Sequence, residues 1–171
     1  NQLEVGTAQP EIERFDIVPL VKSVLASVDI LLQQKEVKLE LNTDDSVYVW
    51  ADEYMIEEVF TNFISNALNH VSDRMHIIVK LERVHNKVRL SVYNSGETIP
   101  EEALEQVWVK FYKVDKARTR EYGGSGIGLS IVKAIMERHR QNYGVQNHDD
   151  GVEFWIELDG GENLDRTGNI C

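Results

Sequence analysis

The stretch that decides the fold is Glu58-Val59-Phe60-Thr61-Asn62-Phe63-Ile64-Ser65-Asn66-Ala67-Leu68-Asn69-His70. Val59, Phe60, Phe63, Ile64, Ala67 and Leu68 fall on one side of a helix, and Ile56 and Val71 extend that stripe. Asp52 is a plausible N-cap, so the spacing predicts a helix over 53–71. A second stripe repeats at i+4: Glu58, Asn62, Asn66, His70. Asn is a poor helix former, and two of them one turn apart need a reason. One reading is a solvated polar face. The other is a row of amide oxygens lining a pocket, hard ligands of the kind Mg²⁺ accepts.

Outward from this helix the chain alternates strand and helix signals. Upstream, residues 11–17 alternate like a strand, 19–37 carry helical apolar spacing with Pro19 in the first turn, and 37–42 and 46–52 read as short strands. Downstream, 76–84 and 87–94 form a strand pair with its turn at His85-Asn86. Pro100 opens a short helix over 101–111, residues 127–140 are amphipathic, and 143–149 and 151–159 close as a second strand pair. Hairpin neighbours of this kind predict an α+β domain. It is a two-layer α/β sandwich, with a mixed, mostly antiparallel sheet covered on one face by about three helices. The expected organisation is 1–10 as an upstream end and linker, 11–159 as the domain and 160–171 as a tail.

Two loops carry further signals. Asn94-Ser95-Gly96-Glu97-Thr98-Ile99-Pro100 follows a strand. It is either a plain tight turn or a place where Asn94 faces a ligand and Gly96 lets the backbone approach. Gly123-Gly124-Ser125-Gly126-Ile127-Gly128-Leu129 has four glycines just before a helix start, a cradle of backbone N–H groups for phosphate, unless it is only a hinge. It is not a Walker A loop, because Leu129 stands where the Lys belongs. Residues 110–120 hold five basic side chains and one acidic one, which points to a nearby polyanion or to a solvated loop.

In this order the elements resemble the catalytic ATP-binding domain of sensor histidine kinases. That superfamily, with the Bergerat-type ATP-binding fold, includes gyrase, heat-shock chaperone and mismatch-repair ATPases. The N box resembles Glu58–His70, the first glycine box Asn94–Ile99, the F box Val109–Lys113 and the second glycine box Gly123–Leu129. The resemblance implies ATP and Mg²⁺ as cofactors. Asn66 would be the metal ligand and Asn62 would line the same site. Asn69 and His70 would lie near phosphates and ribose, and Asn94 would accept from the adenine amino group in place of the common Asp. Gly96 and Ile99 would belong to the base pocket. Tyr112 and Lys113 would approach the phosphates, Lys113 as the γ-phosphate charge with Arg118 or Arg120 sharing the role. Gly124, Gly126, Ile127, Gly128 and Leu129 would face the phosphates from a lid. Asn62 and Lys113 would thus be the catalytic pair.

The implied activity is transfer of the γ-phosphate to a histidine on a dimerisation and phosphoacceptor domain of the same protein, and thence to a response regulator. Gln2–Gly6 resembles the end of that upstream domain. The five histidines are 70, 76, 85, 139 and 148, and none offers a helical His followed by an acid. The competing readings are an anti-sigma-type serine-protein kinase of the same superfamily and a non-catalytic interaction module. The start at Asn1 reads as a cut from a longer protein, a homodimer anchored in a bacterial membrane, with this piece a monomeric cytoplasmic domain. A net charge of −11 argues against nucleic acid and anionic membranes as partners. The single cysteine, Cys171, excludes an internal disulfide framework.

Overall fold

The computed structural model describes residues 9–109 and 128–161. Strand β1 (Glu13–Asp16) runs directly into helix α1 (Ile17–Ser27). Asp16 makes that junction: its Oδ1 accepts from the N–H groups of Val18 and Val47, each at 3.0 Å. The single helix expected over 19–37 is instead two, α1 and α2 (Asp29–Gln34). Ser27 Oγ donates to the Val24 carbonyl at 2.6 Å, and Val28 leaves helical geometry at φ −108°, ψ 8°. A serine that takes a carbonyl of its own helix weakens the ladder there.

Strands β2 (Lys38–Asn42) and β3 (Tyr48–Ala51) lead to the long helix α3 (Glu53–His70). The β4 (His76–Val84) and β5 (Lys87–Ser95) hairpin turns at His85, whose φ is +60°. The short helix expected after Pro100 is two 3₁₀ turns, Glu101–Ala103 and Gln106–Trp108. Among its described residues only Ala103, Val107 and Trp108 are buried, too few to hold one apolar face along that stretch. Helix α4 (Gly128–His139) precedes the β6 (Tyr143–His148) and β7 (Gly151–Asp159) hairpin.

The seven strands of the described residues form one sheet in the order β1-β3-β7-β5-β4-β2, with β6 also paired to β7. Only β2 and β4 run parallel. β7 is the hub: it pairs with β5 along its length, and with β6 and then β3 on its other side. Its Val152, Phe154, Ile156 and Leu158 are buried at alternate positions, as are Val88, Leu90 and Val92 of β5. Against that face lie Ile56, Phe60, Phe63 and Ile64 of α3, Ile17 and Val21 of α1, and Ile135 and Met136 of α4, all at most 2% exposed. Phe63 meets Phe154 with ring centroids 5.8 Å apart. The opposite face is polar: Arg89 pairs with Glu157 and lies 4.0 Å over the Trp155 ring. Gly144 leaves room for that indole, since a Cβ there would come within 2.5 Å of it.

Candidate functional site

The site is built where α3, the end of β5 and the start of α4 meet. Asp52 caps α3, its Oδ1 accepting from Met55 N–H at 3.1 Å. The Asp52 N–H in turn donates to His139 Nε2, at the far end of α4, at 3.1 Å. Ten residues along α3, a Cβ on Gly128 would lie 2.7 Å from Asn62 Oδ1. The two helices therefore run antiparallel, with the first residue of α4 seated on Asn62. His139 is buried, with Nδ1 at 2.9 Å from the Ile135 carbonyl, so Nδ1–H donates and Nε2 accepts. Burial holds its pKa below the ordinary histidine value.

The other end of α3 is stapled to β5 by two serines. Ser72 N–H donates to the Ser95 carbonyl at 3.0 Å, and Ser95 Oγ donates to the Ser72 carbonyl at 2.8 Å. His76 N–H donates to Ser95 Oγ at 2.9 Å. This brings the end of α3 against Gly96, where an added Cβ would stand 3.1 Å from the His70 carbonyl oxygen. Gly96 has φ +135°, and a Cβ on it would stand 2.6 Å from Ser72 Oγ, so only glycine closes this junction.

Within the site, Asn62 Nδ2 donates to the Glu58 carbonyl at 2.9 Å, which leaves Oδ1 as the end directed at Gly128. One turn away, Glu58 Oε2 is buried with no hydrogen-bond partner among the described residues. Asn62, Asn66 and Asn69 are half-buried, and His70 is exposed. Asn94 is 2% exposed, its Nδ2 donating to the Ser95 carbonyl at 3.1 Å. Asn62 Oδ1 and the Glu58 carboxylate are hard oxygen donors of the kind Mg²⁺ accepts. Leu129 packs partly buried on the core behind Gly128. Tyr112, Lys113, Arg118, Arg120, Gly124, Gly126 and Ile127 lie outside the described residues.

The β6–β7 turn forms the back of the site, which sequence reading missed. Gly96 N–H donates to the Asp150 carbonyl at 2.9 Å. Asn147 receives Ile99 N–H on its Oδ1 at 3.0 Å and donates Nδ2 to the Ile99 carbonyl at 2.7 Å. Tyr93 OH donates to Asp150 Oδ1 at 2.8 Å. Burial and that carboxylate push Tyr93 up to about 12, and the same bond lowers the pKa of Asp150. A signal existed: Asn147 follows Tyr143 and Val145 at alternate positions of a strand, where an apolar residue is the expectation.

Residues 51–162 match the family described as "Histidine kinase-, DNA gyrase B-, and HSP90-like ATPase". The chain belongs to this ATPase family. Sensor protein VanSB of Enterococcus faecalis is 31% identical over 156 residues, covering 91% of this chain and 35% of VanSB. Sensor histidine kinase WalK of Bacillus subtilis is 32% identical over 129 residues, covering 74% of this chain and 21% of WalK. Among solved structures, the catalytic domain of histidine kinase ThkA is 28% identical with a TM-score of 0.77, covering 88% of this chain and 96% of that domain. ThkA solved in complex with the response regulator TrrA is 25% identical with a TM-score of 0.75, covering 89% of this chain and 42% of that one. The chain spans about a third or less of the sensor proteins VanSB and WalK, and nearly all of the ThkA catalytic domain. It is thus homologous to the ATPase domain of sensor histidine kinases. Among the described residues, no helix is long and apolar enough to cross a membrane.

Proposed function

We propose that this domain binds Mg-ATP and presents its γ-phosphate to a histidine on a dimerisation domain of the same, homodimeric protein. The observation that carries the reading is the seat of Gly128 on Asn62, which joins the α4 start to the asparagine stripe of α3. The N-terminus of a twelve-residue helix then faces the same space as those amides, and such a helix end favours phosphate. Asn66 would hold the metal through its Oδ1 atom, with Asn62 lining the same site, and Asn69 and His70 would border the phosphates and ribose. Asn94, with one amide N–H engaged by the Ser95 carbonyl, would offer its oxygen to the adenine amino group. Gly96 and Ile99 floor the base pocket. Bound Mg²⁺ would neutralise phosphate charge as the phosphoryl group leaves. From the sequence, Tyr112 and Lys113 are assigned to the phosphates, with Lys113 as the counter-charge to the γ-phosphate. The kinship to VanSB and WalK supports a sensor kinase parent, which we place at a bacterial membrane with a response regulator downstream.

Calorimetric titration with a non-hydrolysable ATP analogue tests the reading. Wild type should bind more tightly with Mg²⁺ than without. Asn66→Ala should lose that difference, weakening Mg-dependent binding at least about tenfold, about 1.4 kcal/mol. Absence of wild-type binding at millimolar nucleotide would overturn it.

A further inference from the structure

The loop from Gly96 to Pro100 has no regular secondary structure, yet its backbone groups must be paired if the floor of the pocket is to keep one shape. Pro100 brings no N–H, and a residue before proline is confined to extended geometry. The Ile99 peptide groups therefore need a partner from elsewhere. Asn147 provides it, with both ends of one carboxamide engaged by one residue: Oδ1 takes the Ile99 N–H at 3.0 Å, and Nδ2 gives to the Ile99 carbonyl at 2.7 Å. The side chain acts as an extra strand's peptide unit. It does so from a strand position paired with the buried Val152, where Tyr143 and Val145 put apolar side chains toward the core. A polar side chain at such a place is costly unless both of its groups are satisfied, and here both are. The adjoining turn makes a second attachment to the same loop, with the Asp150 carbonyl accepting from Gly96 N–H.

We infer that Asn147 is a positioning residue for nucleotide recognition: by clamping Ile99 it fixes the floor of the base pocket without touching the nucleotide. This rests on the reading of Gly96 and Ile99 as that floor. Its reach is confined to the base side. The clamp lies at the end of β5, whereas Asn62 and Gly128 meet at the other side of the site. Loss of the clamp should therefore weaken ADP and ATP binding by the same factor and leave the Mg²⁺ effect intact. It should also blunt the preference for adenine over guanine nucleotides.

The test uses this chain with ADP, GDP and a non-hydrolysable ATP analogue, with and without Mg²⁺, by calorimetry. Asn147→Ala should lower affinity for ADP and the ATP analogue about tenfold alike, narrow the ADP-to-GDP ratio, and keep the wild-type Mg²⁺ enhancement. Asn147→Asp keeps the shape and the bond from Ile99 N–H but sets a carboxylate against the Ile99 carbonyl. It should weaken ADP at least as much, and it reads the clamp even if the alanine variant folds poorly. Wild-type affinity and base preference in either folded variant would overturn the clamp. If Asn66→Ala in the same series still abolishes the Mg²⁺ effect, the nucleotide site itself survives that result. Absence of ADP binding to wild type would overturn both.

Discussion

Gly128 shows how much a single hydrogen in place of a side chain can decide. At the first residue of a helix, alanine for glycine gains less than the about 1 kcal/mol of a helix interior. Here the added methyl would approach Asn62 Oδ1 to 2.7 Å, and the far end of a side chain is free to give way. Gly128→Ala should thus leave thermal stability unchanged or slightly raised while turning the Asn62 amide aside. The expected result is a weaker Mg-dependent nucleotide affinity without a fall in melting temperature, read by calorimetry beside a thermal melt. A melting temperature that falls together with affinity would show the glycine to be structural only. That Asn62 and Asn66 share one helix was legible from the apolar stripe beside them, while their part in a site is the proposal made above. The contact of Asn147 was not legible: its partner lies 48 residues away, and no local pattern announces that pairing.

At the scale of elements, α3 and α4 are bound at both ends, and one end titrates. His139 must be neutral to accept from Asp52 N–H through Nε2 while Nδ1–H is engaged by Ile135. Desolvation lowers its pKa first, and the Ile135 carbonyl and the Asp52 carboxylate work against that shift. A histidine whose folded pKa is depressed contributes stability that is fully present above its unfolded value, about 6.5. That contribution drains away as pH falls below that value toward the folded pKa, because the unfolded chain takes the proton first. Denaturant titrations from pH 8 to pH 5 should show unfolding free energy declining below about pH 6.5, and His139→Gln should flatten that part of the profile. An unchanged profile in the variant would place the titration elsewhere. The break between α1 and α2 belongs to the same scale. Apolar periodicity runs through it, so the pattern of 19–37 reads as one helix, and only the Ser27 hydroxyl and the backbone of Val28 record the stop.

For the molecule as a whole, helices α1, α3 and α4 and the strands of the sheet share one buried cluster, from Ile17 to Leu158. Domains of this size with one core usually unfold in a single step. Tryptophan fluorescence and far-ultraviolet circular dichroism should therefore give one coincident transition. Phe63→Ala, which empties the space against Phe154, should move both by about 3–5 kcal/mol. Separate shifts of the two probes would show that the helical layer and the sheet melt independently. The two-layer architecture was readable from hairpin neighbours and amphipathic helices. The strand order was not, because the central place of β7 depends on pairings between residues as far apart as Trp50 and Asp159.

The tether between Asp52 and His139 has a mechanical side. Helix α4 is held at its last residue and rests on Asn62 at its first. Twelve residues make an arm of about 17 Å at about 1.5 Å per residue. A swing of about 4° about the His139 end carries the Gly128 end through about 1 Å, the difference between a made and a broken hydrogen bond. The tethered end lies far from the asparagines, so the angle set where His139 meets Asp52 fixes where Gly128 stands over Asn62.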